Sequence, residues 1–322
     1  MSTNSILVGD IGGTHARFAI IDRDGSAPRL RDWLDLSDDF DTFAKALRRY
    51  LDTLESHRVP DVIALAVAGP VADGRVSLTN RNWQFSESEL QSLGFRVAHL
   101  VNDFAALAYA AESLGPADVR CIGPDIPGIR AAPVTILGAG TGFGACCLAH
   151  CRGRALPLPT EGGHIGFAPQ GAEEIAILKR LERRFGRVSV ERILSGPGLE
   201  NLSRALDEIA GRAVRTLSAA SIVEHASRGD VDCLATVLMF CSIFGAVAGD
   251  IALAQGARGG VLIAGGIAVK IEPYLAQGAF RERFEAKGRL SSFVKAIPTR
   301  LIINKDAALL GAARAADEIL PN

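Results

Sequence analysis

The stretch ILVGDIGGTHARFAII, residues 6–21, sets two apolar runs on either side of a glycine-rich turn and reads as two strands of a hairpin. A turn held by a sheet in this way can expose consecutive backbone N–H groups, because glycine accepts the conformations that aim them at one point. Gly9, Asp10, Ile11, Gly12, Gly13 and Thr14 are therefore candidates for cradling phosphate oxygens, with Thr14 adding a hydroxyl donor. Asp10 would repel a phosphate unless a divalent cation stood between them, so it points to a magnesium nucleotide with the metal held directly or through water. For this motif alone, a plain hairpin turn is the alternative.

Residues 133–150, PVTILGAGTGFGACCLAH, repeat the design: an apolar run, a glycine-dense turn, a second apolar run. Gly138, Gly140, Thr141 and Gly142 make a second nest of N–H groups, and two such loops on separate sheets could grip two ends of a triphosphate. Residues 140–145 also satisfy the dinucleotide pattern G-x-G-x-x-A, with Glu161 near the distance of a ribose-binding acid. That fingerprint must open a helix, whereas the sequence here continues as a short apolar run, a turn and two prolines. No G-x-x-x-x-G-K-[ST] occurs, so phosphate binding by a P-loop is unavailable.

Outward from these hairpins, residues 62–71 and 96–103 are further apolar runs, and the second leads into a helical pattern ending at Gly115. Helical spacing returns over 172–186, 198–211 and 233–254. Residues 261–269 read as a strand entering the Gly265–Gly266 turn, and Asn304 as the cap of a closing helix through residue 319. Strands alternate with helices throughout, so the class is α/β.

A chain of 322 residues suggests two domains. Hydrophobic residues at 48% and charged ones at 22% exclude a disordered chain. Lys plus Arg number 35 against 36 Asp plus Glu, without the surplus that nucleic-acid binders use. The 6 cysteines include no CxxC pair and are expected to be reduced thiols. Strand-like sequence begins at Ile6, leaving no room for a signal peptide. The uncharged stretch 233–249 is slightly short of a membrane span and fits a buried core helix better.

Asn102 and Asp103 end an apolar strand where a helix starts, at the strand edge where α/β sheets bind ligands; helix capping is the alternative. Glu161 and His164 sit in TEGGHIG, where two glycines exclude a regular helix and let both side chains turn to one ligand. A Glu accepting two hydroxyl protons beside an imidazole that donates or accepts suits a sugar; a solvated loop with a stray His is the plain alternative.

Taken in order, GDIGGT, LVNDFAA, GAGTGFG, LPTEGGHIGFAP, VERILSGPGL and IAGGI resemble the bacterial glucokinases over nearly the whole chain. The resemblance implies two ribonuclease H-like domains hinged around a cleft, as in hexokinase and actin. It implies Asp103 as the base that takes the proton of the attacking hydroxyl, Asn102 as a partner of neighbouring hydroxyls, and Glu161, His164 and Glu191 as sugar contacts. Gly265 and Gly266 would contact adenosine, and SGPG at 195–198 would do likewise, although a Gly-Pro turn opening a helix also accounts for it.

His15 departs from the family, which usually has Asn after GGT. The cysteine-rich zinc loop of related sugar kinases is missing, and CCLAHC at 146–151 puts neighbouring thiols on opposite strand faces. The expected reaction is ATP plus glucose giving ADP and glucose 6-phosphate, with magnesium, in the cytoplasm. Domain closure would exclude water. The small lobe is expected over 1–113 plus 301–322 with the first phosphate loop and Asn102–Asp103, and the large lobe over 114–300. Glucose and ATP are the expected partners, with neither nucleic acid nor membrane, and a homodimer stays open. The alternatives are a kinase of mannose, fructose or an amino sugar, a sugar-sensing regulator on the same fold, and an actin-like filament protein. Against the regulator stands the absence of a helix-turn-helix before Ile6.

Overall fold

The opening hairpin forms as β1 (Ser5–Ile11) and β2 (Ala16–Asp22), paired antiparallel from Ser5↔Asp22 to Ile11↔Ala16. The computed structural model describes residues 5–13, 15–23, 29–36, 40–55, 59–78 and 82–320. The chain divides into two units, Met1–Leu114 with Asn304–Asn322, and Gly115–Ile303.

In the first unit β3 (Arg29–Leu36) pairs with β2, and α1 (Phe43–Leu51) and β4 (Val62–Val67) follow. A small sheet of β5 (Val71–Ala72), β6 (Arg75–Ser77) and β7 (Gln84–Ser86) precedes α2 (Glu87–Ser92), β8 (Val97–Asn102) and α3 (Asp103–Ala111). The main sheet has the order β3-β2-β1-β4-β8, antiparallel across its first three strands and parallel from β1 through β4 to β8. VIALAV of β4 is buried at every residue, as a central parallel strand covered on both faces requires. Thr42 caps α1 through Lys45 N–H, and the helix buries Phe43, Ala46, Leu47 and Tyr50. Tyr50 stacks on Phe18 at 5.2 Å between ring centroids.

The second unit repeats the plan. It holds β9 (Val119–Cys121), β10 (Val134–Ala139), β11 (Phe143–Cys151) and β12 (Arg154–Thr160), then α4 (Gly171–Phe185), α5 (Gly196–Ile209), α6 (Ala219–Ser227) and α7 (Val231–Gln255). After these come β13 (Gly260–Ala264), α8 (Gly266–Lys270), α9 (Glu272–Leu275), α10 (Ala279–Glu285), α11 (Ser291–Lys295) and β14 (Thr299–Ile302). The sheet order β12-β11-β10-β13-β14-β9 again joins an antiparallel triplet to parallel strands, β10 with β13 with β14. Apolar on all sides, α7 is the core helix of this unit, with Phe240, Phe244 and Cys241 fully enclosed and a left-handed Gly256 closing it. At Gly245 a Cβ would overlap the carbonyl of Phe280, so α10 lies directly on the α7 backbone.

The last helix, α12 (Ala307–Asp317), belongs to the first unit and packs on α3. A side chain at Gly311 would overlap the carbonyl of Ala106, so the two helices meet backbone to backbone. Three boundaries differ from the sequence expectation. Asp306, not Asn304, is the N-cap of α12: the Asn304 carboxamide instead accepts from Asp306 N–H at 2.8 Å, a turn that delays the helix. α3 stops at Ala111, short of Gly115: Glu112 is its C-cap and Ser113 N–H turns back to Ala110 O at 2.8 Å. The strand over 261–269 ends at Ala264, where Gly265 at φ 97° turns the chain into α8.

Candidate active site

Because β1, β4 and β8 run parallel, their carboxyl ends open on one edge of the sheet. Ile11 pairs with Val67 and Val67 with Asn102, so the three strand ends lie in one row. Two strand spacings put the end of β1 about 10 Å from the end of β8. That edge carries the first glycine turn and the Asn102–Asp103 pair together, where parallel sheets take their ligands.

Within the turn, Gly12 N–H donates to His15 O at 2.9 Å, which closes the hairpin and leaves fewer amides for an anion than the sequence suggested. The Gly9 position is fully packed, since a Cβ there would stand 2.5 Å from Leu65, and the Ile11 side chain belongs to the core. Thr14 lies outside the described residues. Asp10 pairs with the Arg17 guanidinium directly across the hairpin, and Arg17 also donates to Lys305 O at 2.7 Å, before α12. Sequence reading missed Arg17. With one carboxylate oxygen on Arg17, the other can meet a water of a magnesium ion, which keeps much of its hydration when bound. His15, exposed, lies 3.1 Å from Asp35 on β3.

Asn102 is the N-cap of α3: its Oδ1 accepts from Phe104 N–H at 3.0 Å and Ala105 N–H at 3.1 Å, and its Nδ2 donates to Gly69 O at 3.2 Å. Asp103 accepts from Phe104 N–H at 2.9 Å. Capping thus rests chiefly on Asn102, and Asp103 is the half-buried first residue of the helix.

The second unit presents a matching edge. Gly138 on β10 pairs with Ala264 on β13 in parallel register, so the loops after these strands are neighbours. A side chain at Gly138 would overlap the Ala264 carbonyl, and one at Gly265 the Ala139 carbonyl, so these glycines serve the close approach of the two strand ends. Gly140 N–H donates to Gly142 O at 2.8 Å across the tip, and the exposed Thr141 stands between them. Gly196 N–H, at the start of α5, donates to Gly140 O at 2.8 Å, and Ser195 caps that helix through Gly198 N–H at 2.9 Å. The loop at 140–142, the start of α5 at Gly196 and the Ile267 side chain after Gly266 therefore lie together.

Glu161 and His164 belong to a short 3₁₀ turn, Gly162–His164, rather than to irregular chain. In that geometry residues three apart eclipse, so both side chains emerge on one side, with Nε2 3.9 Å from Oε2 and both exposed. The glycines let the turn sit on β11: a side chain at Gly163 would overlap the Phe143 carbonyl, and one at Gly162 would stand 2.9 Å from Ala145. Val190 N–H donates to Ile165 O at 3.0 Å and Arg187 to His164 O at 2.8 Å, which bring the segment holding Glu191 alongside. Glu191 accepts from Phe143 N–H at 2.9 Å. Cys146 and Cys147 are both buried within β11 on opposite faces and form no ligand set, and burial pushes the Cys146 thiol up to about 12.

The family model described as Glucokinase matches residues 7–319. A glucokinase of Caulobacter sp. (strain K31) is 51% identical over 95% of this chain and 93% of its own. One from Xanthomonas oryzae pv. oryzae (strain MAFF 311018) is 44% identical over 96% and 93%. Among solved structures, a glucokinase from an Antarctic psychrotroph superposes with a TM-score of 0.86 at 37% identity, covering 98% of this chain and all of its own. A ROK family glucokinase from Streptomyces griseus in complex with glucose and AMPPNP shares the fold alone, with a TM-score of 0.67 at 19% identity over 98% and 99%. A match of that extent and identity, on a chain folded as two units with ribonuclease H-like sheets, shows that the chain belongs to the glucokinase family, kinases that phosphorylate glucose.

Proposed function

We propose that the chain transfers the γ-phosphoryl group of magnesium ATP to the 6-hydroxyl of glucose, giving ADP and glucose 6-phosphate, with Asp103 as the base. The carrying observation is the row Ile11–Val67–Asn102, which sets a glycine turn and a carboxylate on one sheet edge. Phosphoryl transfer passes through a loose transition state in which the attacking oxygen sheds its proton late, so an ordinary carboxylate suffices at Asp103. Asn102 would hold a neighbouring hydroxyl through its Nδ2 by exchanging the bond to Gly69 O. Glu161, His164 and Glu191 would read the other hydroxyls, since a site built on hydrogen bonds rejects an epimer by leaving its own groups unpaired.

Magnesium would stand near Asp10 through water, neutralising phosphate charge. The first glycine turn and the amides of Thr141 and Gly142 would face the phosphates, with Gly265–Gly266 and the 195–198 turn beside the adenosine. Glucose and AMPPNP in the Streptomyces griseus protein support this choice of ligands. We place the activity in the cytoplasm, where the free cysteines stay reduced. ADP formation measured across glucose, mannose, fructose and glucosamine tests the proposal. Highest turnover on glucose is expected; ADP released equally without sugar, or preference for another hexose, would refute it.

A further inference from the structure

The segment from Glu191 to Gly196 touches the second glycine loop at both of its ends. At one end Gly196 N–H is bound to Gly140 O at 2.8 Å; at the other the Glu191 carboxylate accepts Phe143 N–H at 2.9 Å. The carboxylate lies so close that a Cβ on Gly142 would stand 2.5 Å from Glu191 Oε2, so the loop has a glycine where the acid fills the space of a side chain. Glu191 is itself held from behind: its carbonyl accepts from the Ser195 hydroxyl at 2.8 Å, and Ser195 is buried. A residue that only reached for a sugar would need none of these bonds to the loop.

We infer that Glu191 is a positioning residue for the nucleotide, fixing the 140–142 loop through the Phe143 amide whether or not a sugar is bound. The inference rests on the proposal that this loop receives ATP phosphates, and it assigns Glu191 a second task besides the sugar contact. The physical requirement is an acceptor of the right length at position 191. Negative charge is not required, because a carboxamide oxygen can take the same N–H. Losing the acceptor leaves a half-buried amide unsatisfied and frees the loop to populate other arrangements, and a ligand then binds more weakly by the fraction no longer competent.

The test is magnesium ADP affinity by calorimetry with no sugar present, on folded samples of Glu191→Ala, Glu191→Gln, Glu191→Asp and Thr141→Ala. Expected is a loss on the order of 5- to 10-fold for the Ala and Asp variants, with Gln near wild type and Thr141→Ala weakened, the range of an ordinary coupling between sites. The Asp variant keeps the charge but is one methylene too short, so it carries the test if the Ala variant does not fold. Unchanged ADP affinity in the Ala and Asp variants beside a weakened Thr141→Ala would overturn the inference and leave the loop as the nucleotide site. Equal weakening by Gln and Ala would also overturn it. No change in any of the four would remove the loop from nucleotide binding and the inference with it.

Discussion

Replacing Asp103 with Asn separates chemistry from architecture because the structure assigns the helix cap to its neighbour. Asn102 satisfies the amides of Phe104 and Ala105, and a carboxamide at 103 can keep the 2.9 Å bond to Phe104 N–H, so the variant should lose about 1 kcal/mol of stability or less, the worth of a carboxylate at a helix N-terminus. Proton acceptance is lost, and a positioned base is worth about 10²- to 10⁴-fold in turnover. At about 1.4 kcal/mol per decade that raises the barrier by roughly 3 to 5 kcal/mol, well above the stability change. Asn102→Ala is the counterpart: it strips two capping bonds and should cost about 1 to 2 kcal/mol of stability. Turnover, equilibrium glucose binding and thermal unfolding are to be measured on one sample of each variant. Turnover of Asp103→Asn within a few-fold of wild type, with the fold and glucose binding unchanged, would refute Asp103 as the base.

Glu161→Gln and His164→Ala should narrow the preference for glucose over mannose, read as relative turnover; unchanged ratios in both would reduce the 3₁₀ turn to a structural feature. Among the thiols, exposed Cys121 and Cys151 should react with a disulfide reagent in the native protein, and the other four only after unfolding. Burial raises the Cys146 and Cys241 thiols to about 12, so the unfolded chain loses those protons first; stability should fall as pH rises above about 8.5, and cysteine-to-alanine variants at the two sites should flatten that fall in alkaline urea titrations. Gly245→Ala forces a methyl against the Phe280 carbonyl and should destabilise by at least about 1 to 3 kcal/mol, seen as an earlier urea midpoint at unchanged slope; an unchanged midpoint would mean that α10 can move away.

Much of the fold was legible where one force dominated. Both glycine hairpins, the all-apolar β4 and the long α7 declare themselves because burial on every side demands unbroken hydrophobic sequence. β3 escaped because RLRDWLDL is an edge strand, held by its ladder to β2 and largely open to water, so little apolar pattern marks it. The short β5–β7 sheet is too brief for periodicity to register. At the site, the residue types of Asp103, Glu161 and His164 were readable, but two arrangements depended on register. Arg17 faces Asp10 because the hairpin register pairs the two positions, and a count across the hairpin would have found it. Glu191 meets the Phe143 amide through tertiary packing that no local pattern encodes.

The seam between α3 and α12 bears on how the protein is made. The unit that carries Asp103 is closed by residues 304–322, which are encoded after the whole of the continuous unit Gly115–Ile303. Domains generally fold as units during synthesis, so the second-encoded unit can complete itself while the first still lacks a helix. Until Gly311 can settle against Ala106, the face of α3 that meets α12 is uncovered. A nascent chain stalled before residue 304 would thus hold a finished half and an unfinished half, and the sheet edge that carries Asp103 would be completed second.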